Sequence, residues 1–149
     1  MFEIDKIDSS PELVFARRFK APVARVYDAW TDPAKLVKWW GPRGFTLTIR
    51  HMELKVGGIW DYILHGPDGT DYPNRAVFEE IEPLRRLVFY NRGGHLQDQH
   101  LTSRMTARFE ARGSETLVEL RMRFETQEAY HRARARGAKE GGAQSFDRL

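Results

Sequence analysis

The chain has 149 residues, 41% hydrophobic and 12% aromatic, with no cysteine. That is the length of one domain, residues 1–149, with apolar material for a sizeable core; disulfides, thiolate metal sites and a thiol nucleophile are excluded. The net charge is only +3, no run of five or six like charges marks a nucleic-acid tail, and no apolar run approaches a membrane span.

Met1-Phe2-Glu3-Ile4-Asp5 lacks the basic start and apolar stretch of a signal peptide, so a cytoplasmic setting is expected. Leu13 to Lys20 alternates, with Leu13, Phe15, Arg17 and Phe19 on one side, and predicts a strand. Ala21-Pro22 breaks it and opens a helix over Val23–Thr31, whose Val23, Val26, Tyr27 and Trp30 share one face. Asp32-Pro33 then starts a second short helix, Pro33–Trp40, with Asp as N-cap and Pro at the first position. Gly41-Pro42 stops it. Three of the four tryptophans fall between Trp30 and Trp40. So short a helix is not stable alone and needs an apolar surface to cover.

From Phe45 onward strand follows strand. Phe45, Leu47, Ile49 and His51 alternate with Thr46, Thr48, Arg50 and Met52; Val56-Gly57-Gly58 is a turn or bulge; and Ile59–Leu64 puts Trp60, Tyr62 and Leu64 on one face. Gly66-Pro67-Asp68-Gly69 is a turn. Arg75–Ile81 and Arg86–Asn91 pair around Glu82-Pro83, and a polar loop follows to about His100. Leu101–Ala111 and Glu115–Thr126 form a hairpin, with Ser103, Met105, Ala107 and Phe109 facing the same way as Val118, Leu120, Met122 and Phe124. The result is an antiparallel meander of about six to seven strands with one apolar face. Gln127–Leu149 reads as a long helix able to cover it, although Gly137, Gly141 and Gly142 each weaken it by about 1 kcal/mol relative to alanine. Arg132, Arg134 and Arg136 lie between Glu128 and Glu140 and read as a solvated helix face.

In this order of elements, Ala21-Pro22, Ala29-Trp30-Thr31-Asp32-Pro33, Trp39-Trp40-Gly41-Pro42, Gly57-Gly58-Ile59-Trp60, Gly66-Pro67-Asp68-Gly69, Glu140-Gly141-Gly142 and Phe146-Asp147-Arg148-Leu149 carry a family look. Together they resemble the bacterial proteins named after the activator of the ninety-kilodalton heat-shock protein ATPase. Those are START-like proteins of the polyketide cyclase and Bet v allergen superfamily. The resemblance covers residues 11–149. It implies an α+β helix-grip fold: a curved antiparallel sheet, two short helices, and a long C-terminal helix lying across the sheet with a cavity between them. Two positions depart from the family pattern. Gly142 stands where such proteins usually carry a large aromatic, and Phe146 where they carry Leu. Either the cavity is larger or another side chain fills the gap. The chain's apolar end at Phe146 and Leu149 leaves a homodimer open.

On that frame the cavity lining is Trp39, Trp40, Phe45, His51, Trp60, Tyr62, Phe78, Phe89, Met105, Phe109, Met122, Phe124 and Phe146, with Arg17 and Tyr90 as polar anchors. The plainer reading is that these aromatics fill the core. One of Trp39 and Trp40 lines the cavity while the other braces the helix or guards the entrance, since adjacent helical positions point about 100° apart. His95, Asp98 and His100 match no common metal-ligand spacing, and no nucleophile–base motif is visible, so no metal, cofactor or catalytic group is expected. The expected partner is a small apolar molecule, without nucleic acid or membrane. Two alternatives stand beside binding: a co-chaperone contact with the heat-shock ATPase, and a cyclase- or hydrolase-like enzyme using the same cavity.

Overall fold

The computed structural model describes residues 12–41, 43–93, 102–124 and 149. In chain order these form β1 (Glu12–Phe19), α1 (Val23–Thr31), α2 (Pro33–Leu36), β2 (Thr46–Met52), β3 (Ile59–His65), β4 (Asp71–Glu82), β5 (Arg86–Gly93), β6 (Thr102–Arg112) and β7 (Glu115–Phe124). All seven strands join one antiparallel sheet in the order β1-β7-β6-β5-β4-β3-β2. β2 to β7 are a plain meander. The two helices carry the chain from β1, at one edge, to β2 at the other. The expected helix over Gln127–Leu149 lies outside the described residues apart from Leu149, which packs partly buried against the core.

Alternation sorts the strands into two faces. Leu13, Phe15, Trp60, Tyr62, Phe78, Phe89, Met105, Phe109, Val118, Leu120 and Phe124 are buried on the inner one. The outer one carries ion pairs, among them Arg104–Glu79 at 3.1 Å and Arg86 with Glu80. α1 follows the sequence reading to the residue. Val26 and Trp30 are buried, and Val23 and Tyr27 pack against the core.

α2 is shorter than its pattern. Asp32 caps it by accepting from the Ala34 N–H at 3.0 Å, with Pro33 at its start, but regular helix ends at Leu36 rather than Trp40. From there the amides of Lys38 and Trp39 bond three residues back, at 3.0 and 3.2 Å, so the last turn tightens. Gly41 closes it with φ 115°, a conformation that glycine adopts freely.

Two bulges interrupt the sheet, between Ile49 and His51 and between Phe78 and Glu80. Each adds a residue to one strand, bends it and reverses its alternation downstream. Gly58, ahead of β3, is buried; a Cβ there would lie 2.2 Å from the Glu53 carbonyl oxygen.

Candidate functional site

Trp30, at the end of α1, meets Trp39 and Trp40 at ring-centroid distances of 5.0 and 5.6 Å and Phe109 of β6 at 5.6 Å. Trp40 meets Trp60 of β3 at 5.5 Å. Trp60 in turn stacks on Tyr62 at 4.4 Å and lies 5.7 Å from Phe89 and 6.5 Å from Phe78. One aromatic chain therefore joins both helices to four strands of the sheet, with offset and edge-to-face geometries that aromatic quadrupoles favour.

Trp39 and Trp40 divide the work. Trp39 is 3% exposed, and its indole N–H donates to the Ala29 carbonyl at 2.9 Å. That carbonyl lies in the last turn of α1, so Trp39 locks the two helices together. Trp40 turns toward the sheet.

The inner face also holds a polar row. The Tyr62 hydroxyl donates to Asn91 Oδ1 at 2.8 Å, Asn91 Nδ2 donates to Asn74 Oδ1 at 3.1 Å, and Asn74 Nδ2 donates to the Tyr72 carbonyl at 2.9 Å. Ser103, 6% exposed, stands in register with Asn91. Burial pushes the Tyr62 hydroxyl well above the ordinary tyrosine range, and hydrogen bonds with Trp40 and Asn91 offset this in part. It stays protonated at any physiological pH. Strand pairing makes this row; positions 62, 74 and 91 share no local motif, and among the candidates only Tyr62 was legible in the sequence.

Of the expected lining, Trp39, Trp40, Trp60, Tyr62, Phe78, Phe89, Met105, Phe109 and Phe124 are buried together, and Met122 packs partly buried against them. Four of the expected site residues fall elsewhere. His51 turns outward because the bulge after Ile49 reverses the alternation: His51 pairs with Asp61 while Met52 takes the inward place opposite Trp60. Its side chain is 54% exposed, with Nε2 3.2 Å from Glu53 Oε1. Hydrogen bonding from His51, with the Lys55 charge, holds the exposed Glu53 carboxyl below its usual range. Tyr90 pairs with Val77 on the outer face and is 41% exposed. Phe45 precedes β2 and packs on Tyr72 at 5.8 Å, apart from the buried cluster. Arg17 stands beside Val118 on β1, at the far edge of the sheet from β3. Phe146, Gly142, His95, Asp98 and His100 lie outside the described residues.

A second arrangement sits on the outer face. His65 Nδ1 is 2.7 Å from Asp71 Oδ1, and its Nε2 is 2.8 Å from Thr48 Oγ1. With the proton on Nδ1, the ring accepts from the threonine hydroxyl, giving a hydroxyl–imidazole–carboxylate relay across β2, β3 and β4. The sequence places these residues 17 and 6 positions apart, on three strands that only pairing unites. Thr48 and Asp71 are exposed, so water competes for every bond in the relay. No group of three His, Asp or Glu among the described residues is placed to hold a metal ion, and no described helix is long and apolar enough to cross a membrane.

The sequence profile described as activator of Hsp90 ATPase homolog 1-like protein matches residues 20–149. Among solved structures, a protein from Arthrobacter aurescens superposes with a TM-score of 0.87 at 26% identity, covering 93% of this chain and 83% of its own. A Mycobacterium smegmatis protein gives 0.84 at 22% identity, covering 94% and 88%. A Silicibacter pomeroyi protein titled AHSA1 gives 0.75 at 22% identity, covering 93% and 94%. A search of curated proteins found no match.

Proposed function

The chain belongs to the activator of Hsp90 ATPase homolog 1-like family, and from that premise we propose that it binds a small, mostly apolar molecule against the inner face of its sheet. The observation that carries this reading is the pairing of an aromatic wall, Trp40, Trp60, Phe78 and Phe89, with a buried polar row, Tyr62, Asn91 and Asn74. Binding sites for small molecules combine mostly apolar walls with a few fixed polar groups. The helix-grip arrangement that the family resemblance implies would supply the other wall. Leu149 packing against the core is consistent with it.

Native mass spectrometry of freshly purified full-length chain tests the reading, and also gives the oligomeric state. Retention of a small molecule of a few hundred daltons is expected, or its recovery after incubation with a library of apolar compounds. A chain that emerges bare from every compound overturns it.

The family description supports a second reading, a contact with the heat-shock ATPase. One observation favours it. Val77 and Tyr90 stand paired on the outer face, 39% and 41% exposed. Tyr90→Ala would weaken such a contact and leave small-molecule retention unchanged.

A further inference from the structure

We infer that the molecule taken by this face is neutral and carries a carbonyl-type acceptor, which the Trp60 indole N–H meets beside Tyr62 and Asn91. The inference rests on the binding reading above and adds the chemistry of the ligand's polar end.

Trp60 is 3% exposed, and its Nε1 is buried with no hydrogen-bond partner among the described residues. A buried donor left unmade carries its full desolvation penalty, so native structures satisfy nearly all of them. The polar side chains of the row bond to one another instead. Asn91 Oδ1 takes the Tyr62 hydroxyl, and Asn74 Oδ1 takes the Asn91 amide. The row pairs its members with one another and ends on the Tyr72 carbonyl, and the indole donor is not among them.

The register gives that donor a setting. Trp60 pairs with Ala76, and Ala76 pairs with Asn91, so only a methyl separates the indole from the asparagine along this line of the sheet. Around the ring stand Trp40, Phe78 and Phe89. They suit a flat apolar body.

Charge narrows the class. Among the described residues the inward side chains of β3 to β6, such as Trp60, Tyr62, Asn74, Asn91 and Ser103, are all uncharged at neutral pH. A carboxylate or ammonium here would lose its hydration with no counter-charge from the described residues of these strands. A neutral carbonyl loses little and completes the orphan donor. Aryl ketones, enones and lactones are the class that fits.

The test uses the full chain and three matched probes: 2-acetylnaphthalene, 2-ethylnaphthalene and 2-naphthoate. Affinities are read by displacement of Nile red. The ketone is expected to bind about tenfold tighter than the hydrocarbon, one buried hydrogen bond's worth, with the carboxylate weakest. Trp60→Phe keeps the ring and removes the donor; it should bring ketone and hydrocarbon to equal affinity. In the unaltered protein, the Trp60 indole ¹⁵N–¹H resonance should move downfield with the ketone and stay in place with the hydrocarbon. That measurement stands even if Trp60→Phe misfolds. An indole resonance indifferent to the ketone, or a preference for the carboxylate, overturns the inference and leaves the binding reading intact. A protein that takes up none of the three probes and displaces no Nile red overturns both.

Discussion

Trp40 of the α2 turn and Trp60 of β3 meet at 5.5 Å with their planes 57° apart, and this contact ties the helical segment to the β3 side of the sheet. Trp40 is 8% exposed and Trp60 3%. Trp40→Ala should cost about 3–5 kcal/mol, the usual penalty for truncating a buried aromatic. Because the rings touch, the double variant with Trp60→Ala should fall short of the sum of the singles by at least about 0.5 kcal/mol. Urea denaturation of the four proteins measures the cycle. Additive costs would mean that the two rings stabilise the fold independently.

Trp39 does a different job, and a smaller change isolates it. Trp39→Phe keeps an aromatic ring and removes the N–H that donates to the Ala29 carbonyl. The expected loss is about 1–2 kcal/mol. It should come with little change in apolar-probe binding, because this residue braces α1 rather than facing the sheet. A variant that binds probes several-fold more weakly at unchanged stability would reverse the two tryptophans' roles.

Much of this architecture was legible in residue order. α1 spans the residues its face pattern assigns, and the inward set of β6 and β7 follows simple alternation. The end of α2 was misjudged by four residues because Trp39 and Trp40 look like helix on pattern alone, while the chain tightens there to present them to different neighbours. His51 was assigned to the wrong face for a different reason. A bulge is a property of a pair of strands, and one strand's sequence carries no signal of it. The same limit hid the polar row and the Thr48–His65–Asp71 relay, whose members come from separate strands.

The corrected place of His51 makes a prediction of its own. An exposed side chain paired, among the described residues, with the exposed Glu53 contributes little. His51→Ala should change stability by less than about 0.5 kcal/mol and leave ligand uptake as it is. A large loss of uptake would restore the inward assignment.

Alkaline titration reads the polar row. Folding holds Tyr62 neutral, and unfolded tyrosine ionises at about 10. Above that pH the folded state keeps a proton that the unfolded state has released, so the stability from this group is complete below about 10 and declines as pH rises. The slope for one such group is about 1.4 kcal/mol per pH unit. Tyr62→Phe should remove that share of the slope between about pH 10 and 11, whatever the loss of the Asn91 hydrogen bond does to overall stability. Tyr27, whose hydroxyl burial also raises, leaves a residual slope. Identical slopes in the two proteins would mean that Tyr62 ionises freely in the fold.

The outer-face relay poses the last question, since its geometry is that of an activated hydroxyl. Three features argue for a brace. Thr48 and Asp71 are exposed, the threonine sits mid-strand, and the three residues link β2, β3 and β4 like a stitch across the ladder. Solvent at Thr48 and Asp71 weakens each bond and leaves no dry site in which charge developing on a reacting carbonyl could be stabilised. Thr48→Val, which keeps the branched shape, should therefore lower stability by about 0.5–1 kcal/mol and leave hydrolysis of p-nitrophenyl acetate by the full-length chain unchanged. Burst-phase release of nitrophenol from the unaltered protein, lost in Thr48→Val and matched by a 42-dalton acetyl adduct on Thr48, would make the relay a nucleophile instead.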